Sequence, residues 1–402
     1  MTTNPKFKSV LWIFCVVLFV FPWIRFDDTF WPTVISTQLG HCPIQNCDFL
    51  NHYLPQINRI AEGNTELQDG WFYPPTLAIL FQFLSLFSIE QASFLWTSFN
   101  LAGMCLLILM GYKLQFGESS AFRVMLSICL VSTSFPVLSS IKWGQISLWL
   151  TILCWYSIQH RKAISGLLIG IAGACKIYPM FYLIFHLLEK RVSNIIYATV
   201  GFIICGLCIP LVFLPLEQIL LYYETSFIAG NLIQSIAPLR GGQALAPTFH
   251  RWFLDGQHMS PSPLPPLITD IPQVLYSLFF IGTILLLSVY SIRNIIQKTP
   301  LSIGVLFCWL GLLSPPGWQH YFCYLPLCHI LLFQHCKKTT GLILLLTSII
   351  IERIPILFLG RIEDIYYTSS AYGTTTIALL LVLIGLLTSS IPQTGENNND
   401  SI

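Results

Sequence analysis

Apolar runs close in length to a membrane-crossing helix recur along almost the whole chain, and they limit its fold more than any other feature. A helix needs about 20 apolar residues to cross a bilayer, and windows of about 19 residues reveal such runs. We therefore expect a series of membrane spans. The runs lie near residues 8–24, 73–89, 92–112, 123–139, 146–159, 163–188, 193–214, 272–292, 301–314, 319–335, 340–358 and 370–390.

Charged residues are too few to cover a water-exposed surface of this size. They make up 9% of the 402 residues, whereas an ordinary soluble domain is about a quarter charged. The mean hydropathy of +0.70 agrees with this shortage. Lipid is therefore the main solvent, and we predict an all-α, polytopic transmembrane helical bundle with about ten to thirteen spans.

A single membrane-embedded domain is expected over residues 1–390, followed by a disordered polar tail at 391–402. Two polar stretches, 25–72 and 215–270, interrupt the apolar runs and are expected as large extracytoplasmic loops. The 20 Lys and Arg are scattered, so no basic patch indicates a nucleic acid as partner. No Cys/His spacing indicates a metal site. We therefore expect the lipid bilayer as a partner, with no metal and no cofactor.

Basic residues give the expected orientation. Lys6 and Lys8 precede the first run, and positive residues in short loops mark the cytoplasmic side. This rule places the N-terminus inside and the 25–72 loop outside. Strict alternation then puts Arg161-Lys162 on the outer face, against the same rule. Either one of the runs between residues 73 and 139 does not cross, or one span is miscounted.

Cys42 and Cys47 differ from most of the other cysteines because both lie in a polar loop. Most of the others lie inside apolar runs, where a free cysteine behaves as a small hydrophobic residue. If the loop faces an oxidising compartment, Cys42 and Cys47 can form a disulfide. Two free thiols are the alternative.

Asp48 is the main candidate for acid–base chemistry. It lies in the segment Cys47-Asp-Phe-Leu-Asn-His-Tyr53, and a carboxylate in a partly dry cleft can act as a general base. A solvated loop acid or a helix cap are the simpler readings. The adjacent pair Asp27-Asp28 is a competing candidate, since two carboxylates can bind a divalent cation through oxygen.

Two lysines lie at apparent breaks in apolar runs. They open the segments Lys142-Trp-Gly-Gln145 and Lys176-Ile-Tyr-Pro179, each of which contains a helix-breaking residue. Broken helices expose backbone dipoles as well as side chains, which is a common way to hold an anion. The alternative is that both lysines extend their ammonium groups to the membrane surface.

Further candidates come from later in the chain. His320 opens an apolar run in the segment Ser314-Pro-Pro-Gly-Trp-Gln-His-Tyr321 and can donate to a phosphate or shuttle a proton. Arg240 and Arg251 lie in the second polar stretch, and their guanidinium groups match phosphate geometry. A histidine at the membrane interface can also be merely hydrogen-bonded, and the arginines can equally pair with acids of the same loop.

Taken in order, these motifs resemble the pattern of glycosyltransferase family 87, within the membrane-embedded GT-C superfamily. The resemblance covers residues 45 to 330, about as far as the motifs extend. The sequence departs from the pattern at Asn231 and Gln234, which two residues separate, and at Pro316-Gly317, so the substrate stays open. The matching motifs are Asp48-Phe49…Tyr53, Tyr73-Pro74-Pro75, Gly144-Gln145, Gly166…Gly170…Lys176-Ile-Tyr-Pro179, Asn231-Leu-Ile-Gln234-Ser235 and Ser314-Pro315…Trp318-Gln-His320.

The resemblance implies an enzyme, a hexosyltransferase that moves a sugar from a polyprenyl-phosphate donor to a hydroxyl of a glycolipid or glycan acceptor. It implies inversion at the anomeric carbon, with Asp48 as general base and His320 as a second catalytic residue. The donor phosphate would be bound by Arg240, Arg251, Lys142 and Lys176. The side chains expected to line the substrate site are Tyr53, Tyr73, Gln145, Gln234 and Trp318.

Two other functions fit part of the sequence. A transporter or flippase of lipid-linked sugars would explain broken helices and buried lysines, but transporters usually bind substrate near the midplane, and here the polar loops are long. A ligase-like polymerase should carry a late outer loop rich in paired arginines, and 215–270 holds two. Without a clear retention signal, a multi-pass protein of a bacterial inner membrane is expected, with its active site on the outer face.

Overall fold

The computed structural model describes residues 46–66, 73–160, 162–224, 243–253, 272–313, 317–336, 338–357 and 373–390, and the single residues Ser9 and Ile13. Every regular element in these ranges is a helix, which confirms the prediction of an all-α polytopic fold. The first helices are α1 (Leu54–Ala61), α2 (Pro75–Leu80), α3 (Ile89–Leu114), α4 (Ser120–Ser132), α5 (Phe135–Trp143), α6 (Ser147–Gln159), α7 (Gly166–Cys175), α8 (Leu183–Leu188) and α9 (Val192–Ile203). The later ones are α10 (Pro210–Phe213), α11 (Leu216–Leu221), α12 (Leu245–Phe253), α13 (Gln273–Ile296), α14 (Ser302–Leu313), α15 (Leu325–His335), α16 (Thr339–Leu357) and α17 (Thr374–Ser389).

Short helices of other types connect these elements. Two complete π-helices lie within the described ranges, and one of them joins α9 to α10. The other π-helix immediately precedes α1. Four 3-10 helices lie at breaks and turns. The π-helices span Phe49–Tyr53 and Ile204–Cys208, and the 3-10 helices span Gln82–Leu86, Ala163–Ser165, Tyr178–Tyr182 and Gln319–Phe322.

In the described ranges, three stretches are long and apolar enough to cross a membrane: Ile89–Leu114, Val192–Phe213 and Val274–Ile296. The pair α4–α5 makes a fourth if it is counted as one span, although it bends by 55°. Within the described residues, breaks and bends divide several of the predicted runs into shorter helices. The predicted run at 8–24 lies almost wholly outside the described residues. Among the described residues, apolar helices of 10–17 residues include Ala163–Cys175 and Thr374–Ser389.

The run at 73–89 does not form one helix. It contains α2, which has six residues, and the 3-10 helix Gln82–Leu86. At 1.5 Å per residue α2 is about 9 Å long, far short of the hydrocarbon core. The run at 163–188, in contrast, is divided as expected into two short helical stretches, Ala163–Cys175 and Tyr178–Leu188.

Glycines allow α7 and α9 to pack closely. A Cβ atom on Gly166 would lie 2.1 Å from the carbonyl oxygen of Asn194, and one on Gly170 would lie 2.2 Å from that of Ala198. Small residues let the backbones of membrane helices approach in this way. The glycine motif therefore has a packing role, and it fixes the end of α7, where Lys176 follows.

The interior of the bundle is apolar, and so is much of its outer surface. Helices α14 and α15 bury nearly all their residues, including Phe307 and Leu332, which are 0% exposed. Helix α13 instead exposes Leu278, Leu285 and Val289 by 59 to 63%. Exposed leucine and valine on a long helix are expected where the solvent is lipid, so the described helices fit a multi-pass membrane protein.

Candidate active site

Gly144 makes the turn that starts the site. It ends α5 in the left-handed region, at φ +68°, and α5 closes with bonds from Gly144 N to Ile141 O (3.1 Å) and from Gln145 N to Ser140 O (2.8 Å). This is the hydrogen-bond pattern of a Schellman cap. A Cβ on Gly144 would lie 2.9 Å from the Cβ of Phe49. Glycine is therefore needed here for both backbone conformation and space.

Gln145 joins the acid and the lysine predicted as site residues. Its Nε2 donates to Asp48 Oδ2, and its Oε1 accepts from Lys176 Nζ at 2.5 Å. Tyr53 donates to the same Oε1 at 2.9 Å, and Nε2 also lies 3.3 Å from the hydroxyl of Tyr73. A carboxylate only accepts and an ammonium only donates, so these neighbours fix the orientation of the amide.

Asp48 is partly buried at the start of the π-helix Phe49–Tyr53. Burial raises the pKa of Asp48 above its ordinary value, whereas the hydrogen bond from Gln145 and the positive charges of His52 and Lys176 lower it. Oδ2 is engaged by Gln145, and Oδ1 has no hydrogen-bond partner among the described residues. This oxygen is therefore available to accept a hydrogen bond.

The segment before Asp48 is fastened to the same turn. Asn46 N donates to the carbonyl oxygen of Lys142 at 2.9 Å, and the Asn46 side chain donates to Ser93 Oγ and Thr97 Oγ1, both at 2.8 Å. Trp96 Nε1 donates to Gly144 O at 2.7 Å. Contacts with α3 therefore hold the Asp48 segment and the Gly144 turn together.

Lys176 follows α7 in an extended conformation, with φ −151°, and is 4% exposed. A continuous helix cannot extend through this point without loss, because Pro179 lacks the N–H group that would bond to Cys175 O. The ammonium lies 5.0 Å from the ring centre of Tyr73 and 4.7 Å from that of Tyr321. No direct ion pair joins Lys176 to Asp48 among the described residues; Gln145 lies between them.

His320 lies beside this cluster. It is buried in the 3-10 helix Gln319–Phe322, and its ring centre is 4.9 Å from that of Tyr321. Tyr321 in turn stacks on Tyr178 at 4.5 Å and contacts the ammonium of Lys176. Trp318, immediately before this helix, is partly buried. The late histidine motif and the two earlier breaks therefore meet in space.

The chain around Arg251 packs beside the same late motif. Gln243 N donates to Gly317 O at 2.7 Å, and Gly317 has φ +57°, so a Cβ there would lie 2.5 Å from Ala244 N. Arg251 itself is buried and donates to Thr248 Oγ1 at 3.1 Å. Burial lowers the pKa of Arg251 below its usual value. Glycine at 317 thus lets the end of the second polar stretch approach the motif.

Lys142 is as buried as Lys176, at 3% exposed, but its side chain differs. Its Nζ has no hydrogen-bond partner among the described residues. Only the backbone of Lys142, through its bond with Asn46, supports the Asp48 segment directly. A buried ammonium without a partner is costly, and an anion would offset that cost.

Several predicted residues lie outside the described ranges. Arg240 and Gln234 are among them, as are Asp27-Asp28 and Ser314-Pro315. Cys47 is disulfide-bonded, whereas Cys42 lies outside the described residues. Among the described residues no group of three or more His, Cys, Asp or Glu side chains could hold a metal ion.

The structure adds residues that the sequence did not single out. Tyr321 contacts the Lys176 ammonium and Tyr178 stacks on Tyr321, and both tyrosines are contained in motifs named for other residues. Glu352 and Arg353 form a fully buried ion pair in α16. Two adjacent charges within the apolar run 340–358 were the available signal, because ionisable residues at membrane depth are rare.

The model of the family described as glycosyltransferase family 87 matches residues 71–315. This range contains Gln145 and Lys176, whereas Asp48 and His320 lie outside it.

A relative in Mycobacterium tuberculosis (strain CDC 1551 / Oshkosh) is the polyprenol-phosphate-mannose-dependent alpha-(1-2)-phosphatidylinositol pentamannoside mannosyltransferase. It is 26% identical over 146 residues, which are 36% of this chain and 34% of the relative. The similarity thus spans about a third of the relative's length. No solved structure matches this chain.

Proposed function

We propose, from the premise that this chain belongs to glycosyltransferase family 87, that it transfers a hexose from a polyprenyl-phosphate donor to a hydroxyl of a glycolipid or glycan. Family membership makes the chain a membrane glycosyltransferase. It also argues against a transporter or flippase, the alternative left open by the sequence. The relative named for its polyprenol-phosphate-mannose dependence supports the choice of donor.

The observation that carries the proposal is the arrangement Asp48–Gln145–Lys176. One amide holds a carboxylate on one side and an ammonium on the other. Sugar transfer needs a base for the attacking hydroxyl and positive charge for the departing phosphate. An enzyme that inverts needs these groups on opposite sides of the anomeric carbon, and the cluster offers a carboxylate and a cation that do not pair directly.

Asp48 is the general base in this mechanism. Its Oδ1 accepts the proton of the acceptor hydroxyl while Oδ2 stays hydrogen-bonded to Gln145. Burial raises the pKa of Asp48, which makes it a stronger base at neutral pH. The hydroxyl oxygen bonds to the anomeric carbon as the bond from that carbon to the phosphate oxygen breaks.

Lys176 binds the leaving phosphate, and His320 completes this side of the site. His320 lies next to Tyr321, whose ring contacts the Lys176 ammonium. Lys142, Arg251 and Arg240 add positive charge for the donor. Tyr53, Tyr73, Gln145 and Trp318 line the space for the sugar, with the tyrosines and the tryptophan offering flat faces and polar groups. Gln234, outside the described residues, stays a prediction from the sequence.

We place the reaction on the outer face of a bacterial inner membrane. The basic N-terminus assigned to the inside and the acidic 25–72 stretch support this orientation. A cysteine introduced at exposed Asn64 should react with an impermeant maleimide in intact cells. Labelling only after the membrane is permeabilised would reverse the orientation.

Transfer is measured with radiolabelled polyprenyl-phosphate-mannose and membrane glycolipid acceptors. Asp48→Asn keeps the size of the side chain and removes the base, so we expect transfer to fall about 10²-fold or more at unchanged protein abundance. Wild-type rates in this variant would remove Asp48 as the base. The anomeric configuration of the product, compared with that of the donor, tests inversion independently.

A further inference from the structure

A buried ion pair lies outside the site described above. Glu352 and Arg353, near the C-terminal end of α16, are 0% and 2% exposed, and Arg353 Nη1 donates to Glu352 Oε2. Buried charges are costly even when they are paired. The hydrogen bonds of this pair show which parts of the structure it stabilises.

Glu352 caps the beginning of α5. Its Oε1 accepts from Phe135 N at 2.9 Å and from Ser134 Oγ at 2.7 Å. The first N–H groups of a helix have no partner within the helix, and the N-terminal end is electropositive. A carboxylate suits this end in both hydrogen bonding and charge.

Arg353 caps the end of α4. Ser134 N bonds to Val131 O at 3.2 Å, so the carbonyl of Leu130 loses its usual donor four residues later. Arg353 Nη2 donates to Leu130 O at 2.9 Å, and its Nε donates to Thr133 Oγ1 at the same distance. The guanidinium thus satisfies the electronegative end of the preceding helix.

One ion pair therefore bonds to an unpaired backbone group on each side of the break at Thr133-Ser134, Leu130 O before it and Phe135 N after it. Such groups are costly where no water can reach them, so a break in a span needs partners of this kind. The break turns the chain by 55° and directs α5 toward the Gly144 turn. Both residues of the ion pair lie on α16, more than 200 residues after the break in the chain.

We propose that Glu352 and Arg353 are positioning residues for sugar transfer, which hold the break so that α5 carries Gln145 to Asp48 and Lys176. This inference rests on the proposed function for the reaction it serves. The nine residues of α5 span about 13 Å, so a tilt of about 5° at Phe135 would move Gln145 by about 1 Å. A displacement of that size can lower a rate about 10²-fold.

The test compares two changes on the same helix. In the double variant Glu352→Gln/Arg353→Gln, both charges are removed together, so neither is left buried without its partner. Ser348→Ala is the control, because Ser348 hydrogen-bonds to His329 and to Ala378 O, away from the break. We expect kcat of the double variant to fall at least tenfold with KM for the donor within threefold. The control should keep the wild-type kcat per folded molecule.

Amide hydrogen exchange supplies a readout that does not depend on activity. Exchange should speed up in Phe135–Trp143 of the double variant and stay at the wild-type rate there in Ser348→Ala. A double variant with the wild-type kcat per folded molecule, or with unchanged exchange in α5, would overturn the inference. If the wild-type protein transfers no sugar, the proposed function fails, and the exchange result alone decides whether the pair holds the break.

Discussion

Lys142 and Lys176 are alike in sequence and in burial, yet their ammonium groups are in opposite situations. Each lies at the end of a helix beside a break, and they are 3% and 4% exposed. Lys176 donates to Gln145 and contacts two tyrosine rings. The Lys142 ammonium has no hydrogen-bond partner among the described residues. Lys176 is already bound within the Asp48–Gln145–Lys176 cluster, whereas under the proposed function Lys142 gains a partner when the donor phosphate binds.

The largest effect is expected for Lys176→Met, which keeps an unbranched side chain of similar length and removes its charge. The leaving phosphate loses a cation held in place before reaction, so kcat should fall about 10²–10³-fold. Initial rates per folded enzyme, measured with saturating donor, check this. A variant with a higher KM for the donor and an unchanged kcat would show that Lys176 acts in donor binding alone. Lys176 would then have the same role as Lys142.

Gly144→Ala should have the next largest effect, because Gly144 separates the Lys142 helix from Gln145. The new Cβ would lie 2.9 Å from Phe49 Cβ and 3.0 Å from Asn46 Cα. We expect transfer to fall about tenfold to 10²-fold as Gln145 moves. Gly63→Ala is the matched control, since Gly63 has φ +78° with nothing within 4 Å of its would-be Cβ. Equal losses of transfer activity in both variants would show that backbone strain, and not the displacement of Gln145, lowers the rate.

Lys142→Met should act mainly on donor binding and should stabilise the free protein. Removing a buried ammonium that has no partner should raise the free energy of unfolding by about 1–3 kcal/mol, seen as a higher thermal midpoint. KM for the donor should rise about tenfold, which corresponds to about 1.4 kcal/mol of binding. A lower thermal midpoint would show that the Lys142 ammonium already has a partner in the free protein. This would contradict the difference between the two lysines.

The smallest effect is a displacement of the acidic limb of the pH–rate profile. Asp48 accepts a proton only when ionised, so the rate falls as pH drops through its pKa, which burial raises. Gln145→Leu removes a hydrogen bond that favours the ionised form and should therefore move the limb to higher pH. Measurement of kcat/KM against pH checks the direction. An acidic limb at the wild-type pH in this variant would show that Gln145 does not affect the pKa of Asp48.

The sequence predicted the residues of the Asp48–Gln145–Lys176 cluster but not the bridge between them. Proline and glycine indicate helix breaks in a sequence, as Pro179 and Gly144 do here. A lysine beside such a break can be recognised from the sequence alone. That the Gln145 amide joins the two charges depends on how α3, α5 and α7 pack. The contrast between Lys142 and Lys176 also depends on packing, which apolar periodicity does not encode.

The same limit explains the missed span lengths and the missed ion pair. A hydropathy window averages over breaks, so the run 73–89 reads as continuous although it contains a six-residue α-helix followed by a 3-10 helix. Glu352 and Arg353 were visible as charges in an apolar run, but their partners, Phe135 N and Leu130 O, lie more than 200 residues earlier. Pairings at that separation become visible only in the fold.

A structure with a polyprenyl phosphate bound tests the central claim most directly. The account predicts a phosphate oxygen about 3 Å from Lys176 Nζ, with Asp48 Oδ1 facing the position of the anomeric carbon from the other side. A phosphate bound away from both buried lysines, or on the same side as Asp48, would contradict it.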